Sequence, residues 1–440
     1  MDDARAASRA PRLLLIAYHY PPRQTIASHR TEAFARHLRD LGWDVRIVTS
    51  ALGGADDAHV FRVPHIRRRD RLRRRRVDAF DATVSAVPVG GQTRIRRVVS
   101  VIRREFFDYP DREGGWARSI AAVTPAALSP WTPDLILASG PPFSTFVAAR
   151  RLASRLGAPW IADYRDEWTY GWYYERTGLR RRMDRWLEHR VIDSARAVLG
   201  TSTILTAELA QQFGKPAYEI RNGFEVLPPE DIIESQESAS PLRLVYTGEL
   251  NPTKRDPRPL FRALRELDLG PEDIQVDFYG ATSAGLTSIV AEQGVGALVR
   301  LHARVPTEEA IRIQASADVL LLLTWDDPRD SGYYAAKLFE YLAARRPILM
   351  LGYASGVAAN LLRERQAGFV STDPQAISQF IAAELNGKRS RGRRPPLPKS
   401  TYHGLSRREQ SRRLDLVLRH HLTHSDLLDL PTSQSIGDST

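Results

Sequence analysis

"VLLLLTWDDPRDSGYYAAKLFEYLAARRPILML" (residues 319–351) runs from one apolar block to another through a stretch of helical pattern. Short, continuous apolar runs are how strands buried on both faces read, and a helix between two of them predicts a β-α-β unit in a parallel sheet. Lys337 and Glu340 lie three apart on that helix and so share a face. They form either a surface ion pair of about 0.2–0.5 kcal/mol or the wall of a ligand cleft.

Outward from this stretch the alternation continues. Strand signals stand at "LRLVYTGEL" (242–250), "QVDFYG" (275–280), "VRLHARV" (299–305), "RPILML" (346–351) and "GFVST" (368–372), with helices between them. An earlier series has strands at "RLLLIAYHY" (12–20), "WDVRIVTS" (43–50), "DLILASG" (134–140), "PWIADYRD" (159–166) and "AVLGTS" (197–202). Its helices are predicted at 28–42, 144–156 and 180–194. The expected architecture is α/β, with two Rossmann-like doubly wound domains facing across a cleft at the carboxyl ends of their strands, where such folds bind ligands. The N-terminal domain is placed at 1–222, with a basic insertion over about 55–130. A linker marked by an Asn222-Gly223 turn follows at 223–241, then the C-terminal domain at 242–398. A helical segment at 399–423 and a tail at 424–440 that lacks a folding pattern complete the chain.

The 440 residues suffice for two domains that each bury a core. The absence of cysteine excludes disulfides, thiolate metal sites and a cysteine nucleophile. Neither an apolar signal-peptide core in "MDDARAASRAPR" nor an apolar run long enough to span a membrane is present, so a cytoplasmic location is expected. Lys and Arg number 63 against 52 Asp and Glu, a net charge of +11 that invites an anionic partner. Nine arginines fall between Arg62 and Arg76, "TRIRRVVSVIRREFF" (93–107) alternates as an amphipathic helix would, and "GKRSRGRRPPLPKS" (387–400) reads as a connector. The arginine run is either a solvated charged loop or a segment that docks the protein peripherally on the inner face of an anionic membrane. No recognition motif for nucleic acid accompanies it, so nucleic acid is not the expected partner.

Three constellations stand at strand ends. In "YTGELNPTKRDPRPLFRAL" (246–264), Asp256 reads as an N-cap with Pro257 at the first helical position. Lys254 and Arg255 therefore precede a helix N-terminus and form either an anion site suited to a diphosphate or a solvated loop with chance charges. Glu340 is suited to accept two hydrogen bonds from a ribose diol while Lys337 faces the same phosphates. In "ADYRDEW" (162–168), Asp163 and Asp166 flank Arg165. The carboxylates either orient hydroxyls or act as base while Arg165 steadies an anion, or they amount to a surface pair and an N-cap. "SGPPFST" (139–145) is a tight loop able to approach a ligand at Gly140 and Pro141, and "YPPRQTIASHR" (20–30) brings Arg30 to the same end.

Taken in order, "YHYPP…ASHR", "GWDVRIVTS", "SGPP", "ADYRDEW", "RNGFE", "YTGEL…KRDP" and "KLFEYLAARRPIL" resemble the GT-B retaining glycosyltransferases of the family 4 type over about residues 12–385. The resemblance implies that the C-terminal helix returns to the first domain. It implies a donor site of Gly248, Glu249, Lys254, Arg255, Lys337, Leu338 and Glu340, with Arg30, Gly140 and Pro141 on the acceptor side. Catalysis would fall to Asp163, Arg165, Asp166 and Arg255. The family moves a sugar from a nucleotide-diphosphate donor to a glycan, lipid-linked or other hydroxyl acceptor with retention, as in polysaccharide biosynthesis. It does so without a metal or cofactor, because cations stabilise the leaving phosphate. The chain departs from the family in that Gly332 stands where many members have a first glutamate, the first loop is "RQTIAS" where many have a glycine-rich one, and Arg165 stands where many have a histidine. A sugar-nucleotide epimerase of the same architecture is the alternative enzyme, and a basic nucleic-acid-binding protein the alternative from another class.

Overall fold

The computed structural model describes residues 9–23, 25–54, 57–64, 109–174, 178–234 and 241–423. The arginine run from residue 65 on, the stretch 93–107, the end of the expected linker and the tail lie outside them. The chain divides into two compact units, one of residues 1–201, 205–220 and 411–440, the other of 202–204 and 221–410.

The first unit opens with β1 (Arg12–Ala17), α1 (Ile26–Asp40), β2 (Asp44–Ser50) and β3 (Val60–Val63). It continues through α2 (Gly114–Leu128), β4 (Leu135–Gly140), α3 (Ser144–Leu156) and β5 (Trp160–Tyr164). Then come α4 (Gly178–Ile192), β6 (Ala197–Gly200), α5 (Thr203–Phe213) and β7 (Ala217–Glu219). The seven strands are parallel in the order β3-β2-β1-β4-β5-β6-β7. β1 shows why these strands read as continuous apolar runs: Leu14 and Ile16 enter the core on one face, Leu13 and Leu15 that on the other. The strand order reverses between β1 and β4, and a doubly wound sheet opens its ligand crevice at that point. The stretch expected as a basic insertion contributes to this unit at both described ends. β3 pairs with β2, and α2 buries Trp116 and Ile120.

The second unit contains the short α6 (Glu230–Glu234), then β8 (Leu242–Thr247), α7 (Arg258–Glu266), β9 (Ile274–Tyr279) and α8 (Ala284–Glu292). β10 (Val299–His302), α9 (Thr307–Ser316), β11 (Val319–Leu323), α10 (Lys337–Ala343) and β12 (Ile348–Leu351) follow. α11 (Val357–Glu364), β13 (Gly368–Val370) and α12 (Pro374–Arg391) complete it, before α13 (Arg407–Thr423). Its six parallel strands run β10-β9-β8-β11-β12-β13, reversing between β8 and β11. From Ser411 on, α13 belongs to the first unit. There Leu414 and Leu418 join the core beneath β1, and Trp43 Nε1 donates to Asp415 Oδ1 at 2.6 Å. The expected α/β fold of two doubly wound sheets is thus the one observed.

Three local expectations need correction. Asn222-Gly223 makes no turn. Residues 221–223 are irregular, and Phe224 bridges Ser406. Gly223 is there for space, since a Cβ on it would lie 2.5 Å from the Leu405 carbonyl oxygen. The supposed connector at 387–400 is helical to Arg391, because α12 carries its basic residues in its last turn, where they complement the helix dipole. Helix α7 starts at Arg258 rather than Pro257. Pro257 stands at the cap, and Asp256 Oδ1 accepts from the Arg258 N–H at 3.0 Å.

One buried acid in the first unit predicts a pH dependence. Glu188 of α4 accepts from Tyr164 Oη at 3.0 Å and from the Thr169 N–H at 3.1 Å, and burial pushes its carboxyl up to about 7. A raised acid favours the folded state below its unfolded value and loses that contribution as pH climbs to the folded one. The stability held by Glu188 is therefore full below about pH 4.5 and gone above about pH 7. At about 1.4 kcal/mol per pH unit, Glu188→Gln is expected to gain on the order of 3 kcal/mol over the parent between pH 5 and pH 8 in urea denaturation. A constant difference across that range contradicts the assignment.

Candidate functional site

In the second unit, the chain leaves β8 through Gly248, at φ +111° with its N–H on the Tyr279 carbonyl at 2.8 Å. A Cβ here would stand 3.1 Å from Lys337 Nζ, so glycine lets the α10 lysine lie against the backbone. The ammonium nitrogen of Lys337 is buried, has no hydrogen-bond partner among the described residues and sits 3.6 Å from the Tyr246 ring centroid. Burial, then the charge of Arg255, holds its pKa well below the usual lysine value, with Glu340 pulling weakly the other way. An ammonium desolvated beside a second cation is costly unless an anion joins it.

The other donor-side residues divide sharply. Arg255, half-buried, reaches the Glu249 carbonyl oxygen at 3.5 Å, and the Tyr246 hydroxyl donates to the same oxygen at 2.8 Å. Burial pushes that hydroxyl up to about 12. Lys254 is exposed, its Nζ 4.7 Å from the Trp325 ring centroid. Glu340 is partly buried and makes no ion pair with Lys337, so the two are not the surface pair that their spacing allowed. Glu249 contributes its carbonyl while its side chain is 89% exposed. Leu338 is wholly buried in the core, and its N–H is taken by the Ala335 carbonyl. It shapes α10 and offers no group to a ligand.

At the strand ends of the first unit, Arg30 and Asp163 form a buried pair. Arg30 Nη2 donates to Asp163 Oδ1 at 2.7 Å, Nε to Oδ2 at 3.2 Å, and Nη2 also to the Ile220 carbonyl at 2.8 Å. Ser139 Oγ donates to Asp163 Oδ2 at 2.7 Å. Arg30 is 4% exposed and Asp163 0%, so both act as internal structure and neither is open to a substrate. Arg165 donates through Nε to the Gly140 carbonyl at 3.1 Å and through Nη2 to the Pro141 carbonyl. Gly140 and Pro141 therefore serve as acceptors that fix a guanidinium. Burial lowers Arg165 to about 10, which leaves it charged at neutral pH. Asp166, raised by burial and lowered by Arg165, makes no ion pair or hydrogen bond among the described residues. It is the open carboxylate of the pair.

Two further groups at these crevices escaped the sequence reading. His19 follows β1, its Nδ1 buried without a hydrogen-bond partner among the described residues. Burial, then Arg165 and Arg23, lowers it to about 4, so it is a neutral imidazole at physiological pH. Asp330, after β11, is pushed up to about 6 by burial, against the pull of Arg255 and Lys254. His19 stands within "YHYPP" and Asp330 within the stretch after β11, and the rule that ligands gather where strand order reverses points to both. Among the described residues no group of three or more His, Cys, Asp or Glu is placed to hold a metal ion.

Residues 27–223 match the family model described as a glycosyl transferase 4-like domain. No curated protein matches the chain. Among solved structures, sucrose-phosphate synthase from Thermosynechococcus elongatus superposes with a TM-score of 0.63 at 13% identity, over 95% of this chain and 100% of its own. A glycosyltransferase from Rickettsia africae ESF-5 does so with a TM-score of 0.60 at 11% identity, over 95% and 100%. Anabaena HepE in complex with UDP and glucose reaches 0.58 at 15% identity, over 94% and 99%. Residues 27–223 thus resemble the glycosyl transferase 4-like domain, and the chain as a whole has the two-sheet GT-B fold of these solved structures.

Proposed function

We propose that this chain transfers a sugar from a nucleoside-diphosphate sugar to a hydroxyl of a glycan, lipid-linked glycan or other glycoconjugate precursor, in the cytoplasm. The observation that carries the reading is the buried, unpartnered ammonium of Lys337 beside Gly248 and Arg255. Lys337, Arg255 and the exposed Lys254 receive the diphosphate, and the unpaired Glu340 takes the ribose diol. A HepE structure holding UDP-glucose supports a nucleotide-sugar donor, and the lipopolysaccharide outer core galactosyltransferase WaaB, another structure of this fold, supports a glycan acceptor.

On this reading the bond from the anomeric carbon to the diphosphate oxygen breaks as the acceptor oxygen bonds to that carbon with retention. The negative charge growing on the leaving diphosphate meets three fixed cations, so no metal is required. The acceptor hydroxyl gives up its proton as the new bond forms, and Asp166 is the carboxylate assigned to take it.

Titration calorimetry with UDP, GDP, ADP and TDP is the test. One nucleotide is expected to bind, and a ligand at about 100 times its Kd adds about 2.7 kcal/mol of stability. Arg255→Ala, which removes a charge-assisted contact of about 1.5–3 kcal/mol, is expected to weaken that binding about 10- to 150-fold, and Glu340→Ala about tenfold. Parent-like binding of every nucleotide by both variants removes the donor site from these residues.

A further inference from the structure

Helix α4 is amphipathic in an unusual sense. Its two acids point inward: Asp184 is buried on Arg180 at 2.7 Å, and Glu188 is buried under Tyr164 and Thr169. Its outer face carries Leu179, Met183 and Trp186, exposed by 71%, 45% and 60%. These positions, four and then three apart, form one stripe. The other exposed or half-exposed charges of the helix are all arginines: Arg181, Arg182, Arg185 and Arg190. Three of them lie over aromatic rings, Arg190 over Trp186 at 5.3 Å, Arg185 over Tyr170 at 4.5 Å and Arg181 over Tyr174 at 5.7 Å. Exposed Tyr170 and Tyr173 extend the aromatic character beyond the helix. The first exposed carboxylate after the stripe, Asp193, lies past the helix end.

We infer that this face of α4 docks the protein on an anionic lipid surface. A soluble protein gains nothing by holding three large apolar side chains in water, whereas a helix lying in a membrane interface buries them at the acyl boundary. Trp and Tyr sit stably at headgroup depth. The arginines around the stripe match lipid phosphates, and with both acids turned inward nothing on the helix repels an anionic surface. Charge complementarity favours this occupant over a second protein. The expected alignment is with the helix axis in the membrane plane, since no described helix is long and apolar enough to cross a membrane.

Co-sedimentation of the full chain with vesicles tests the surface without any turnover measurement, so it is independent of the donor reading. Binding is expected to vesicles containing phosphatidylglycerol and not to phosphatidylcholine alone, and to fall with salt. Leu179→Ser/Met183→Ser/Trp186→Ser is expected to weaken it at least tenfold, and Arg182→Gln/Arg190→Gln about tenfold at low salt, both with an unchanged melting temperature because these side chains are exposed. Vesicles with brominated acyl chains are expected to quench tryptophan fluorescence in the parent and less in Trp186→Phe. Parent-like vesicle binding by the triple serine variant overturns the inference. So does a loss seen only when Arg73 to Arg76 become Gln, equal binding to both vesicle types, or a triple variant that instead loses a dimer or a nucleic-acid complex.

Discussion

Arg30→Ala is expected to destabilise the first unit by about 3–5 kcal/mol, the cost of leaving a buried carboxylate without its cation. The partners make the case. Asp163 is wholly buried, takes three hydrogen bonds, and loses two of them with Arg30. The Ile220 carbonyl loses its donor as well, and the guanidinium's stacking over Phe34 at 4.6 Å goes with it. For a domain of this size the shift is about 2–4 °C per kcal/mol, so a fall in melting temperature of about 10 °C is expected. Arg30→Met with Asp163→Leu is expected to recover most of it, since a well-packed apolar pair often equals a buried ion pair. Were Arg30 an acceptor ligand instead, the single variant would melt as the parent does and raise the acceptor KM.

That contrast shows where the sequence stops speaking. The Asp at the end of β5 is legible, because strand ends of a parallel sheet collect polar groups. What it faces is not, because its partner lies 133 residues away and is set by packing. The same holds for Asn222-Gly223. A glycine required by a close approach and one required by a positive φ are the same letter, and only the Leu405 carbonyl 2.5 Å from a would-be Cβ tells them apart. The alternating strands were legible because burial on both faces writes unbroken apolar runs. "AARRPIL" looked like part of a site motif, yet its arginines are scaffold. Arg345 pairs with Glu230 at 2.9 Å, and Arg346 is buried on the carbonyls of Ala315 and Arg394 at 3.0 and 3.1 Å. Inward-facing acids on α4 were equally hidden, since Arg and Asp four apart read as an ordinary exposed pair.

Lys337→Ala is expected to lower kcat about 10²–10³-fold, the usual loss when one fixed donor to a developing charge is removed. KM for the donor should move less, because Lys254, Arg255 and Glu340 still bind the ground state. Spacing placed this lysine on the right face of its helix, but the packing gives it its chemistry. Burial, Arg255 and a missing partner hold the ammonium at a depressed pKa, and a bound diphosphate supplies the counter-charge that raises it again. The sign follows. A ligand that raises a base's pKa binds the protonated form more tightly, so nucleotide affinity is level below the free-state pKa and falls as pH rises from that value towards the bound one. Across that interval binding takes up a proton, which calorimetry in two buffers of different ionisation enthalpy measures directly. Lys337→Met keeps the bulk over the Tyr246 ring, and it is expected to abolish both the proton uptake and the alkaline loss of affinity while the fold is retained. Unchanged proton uptake in that variant places the titrating group elsewhere and removes Lys337 from the phosphate site.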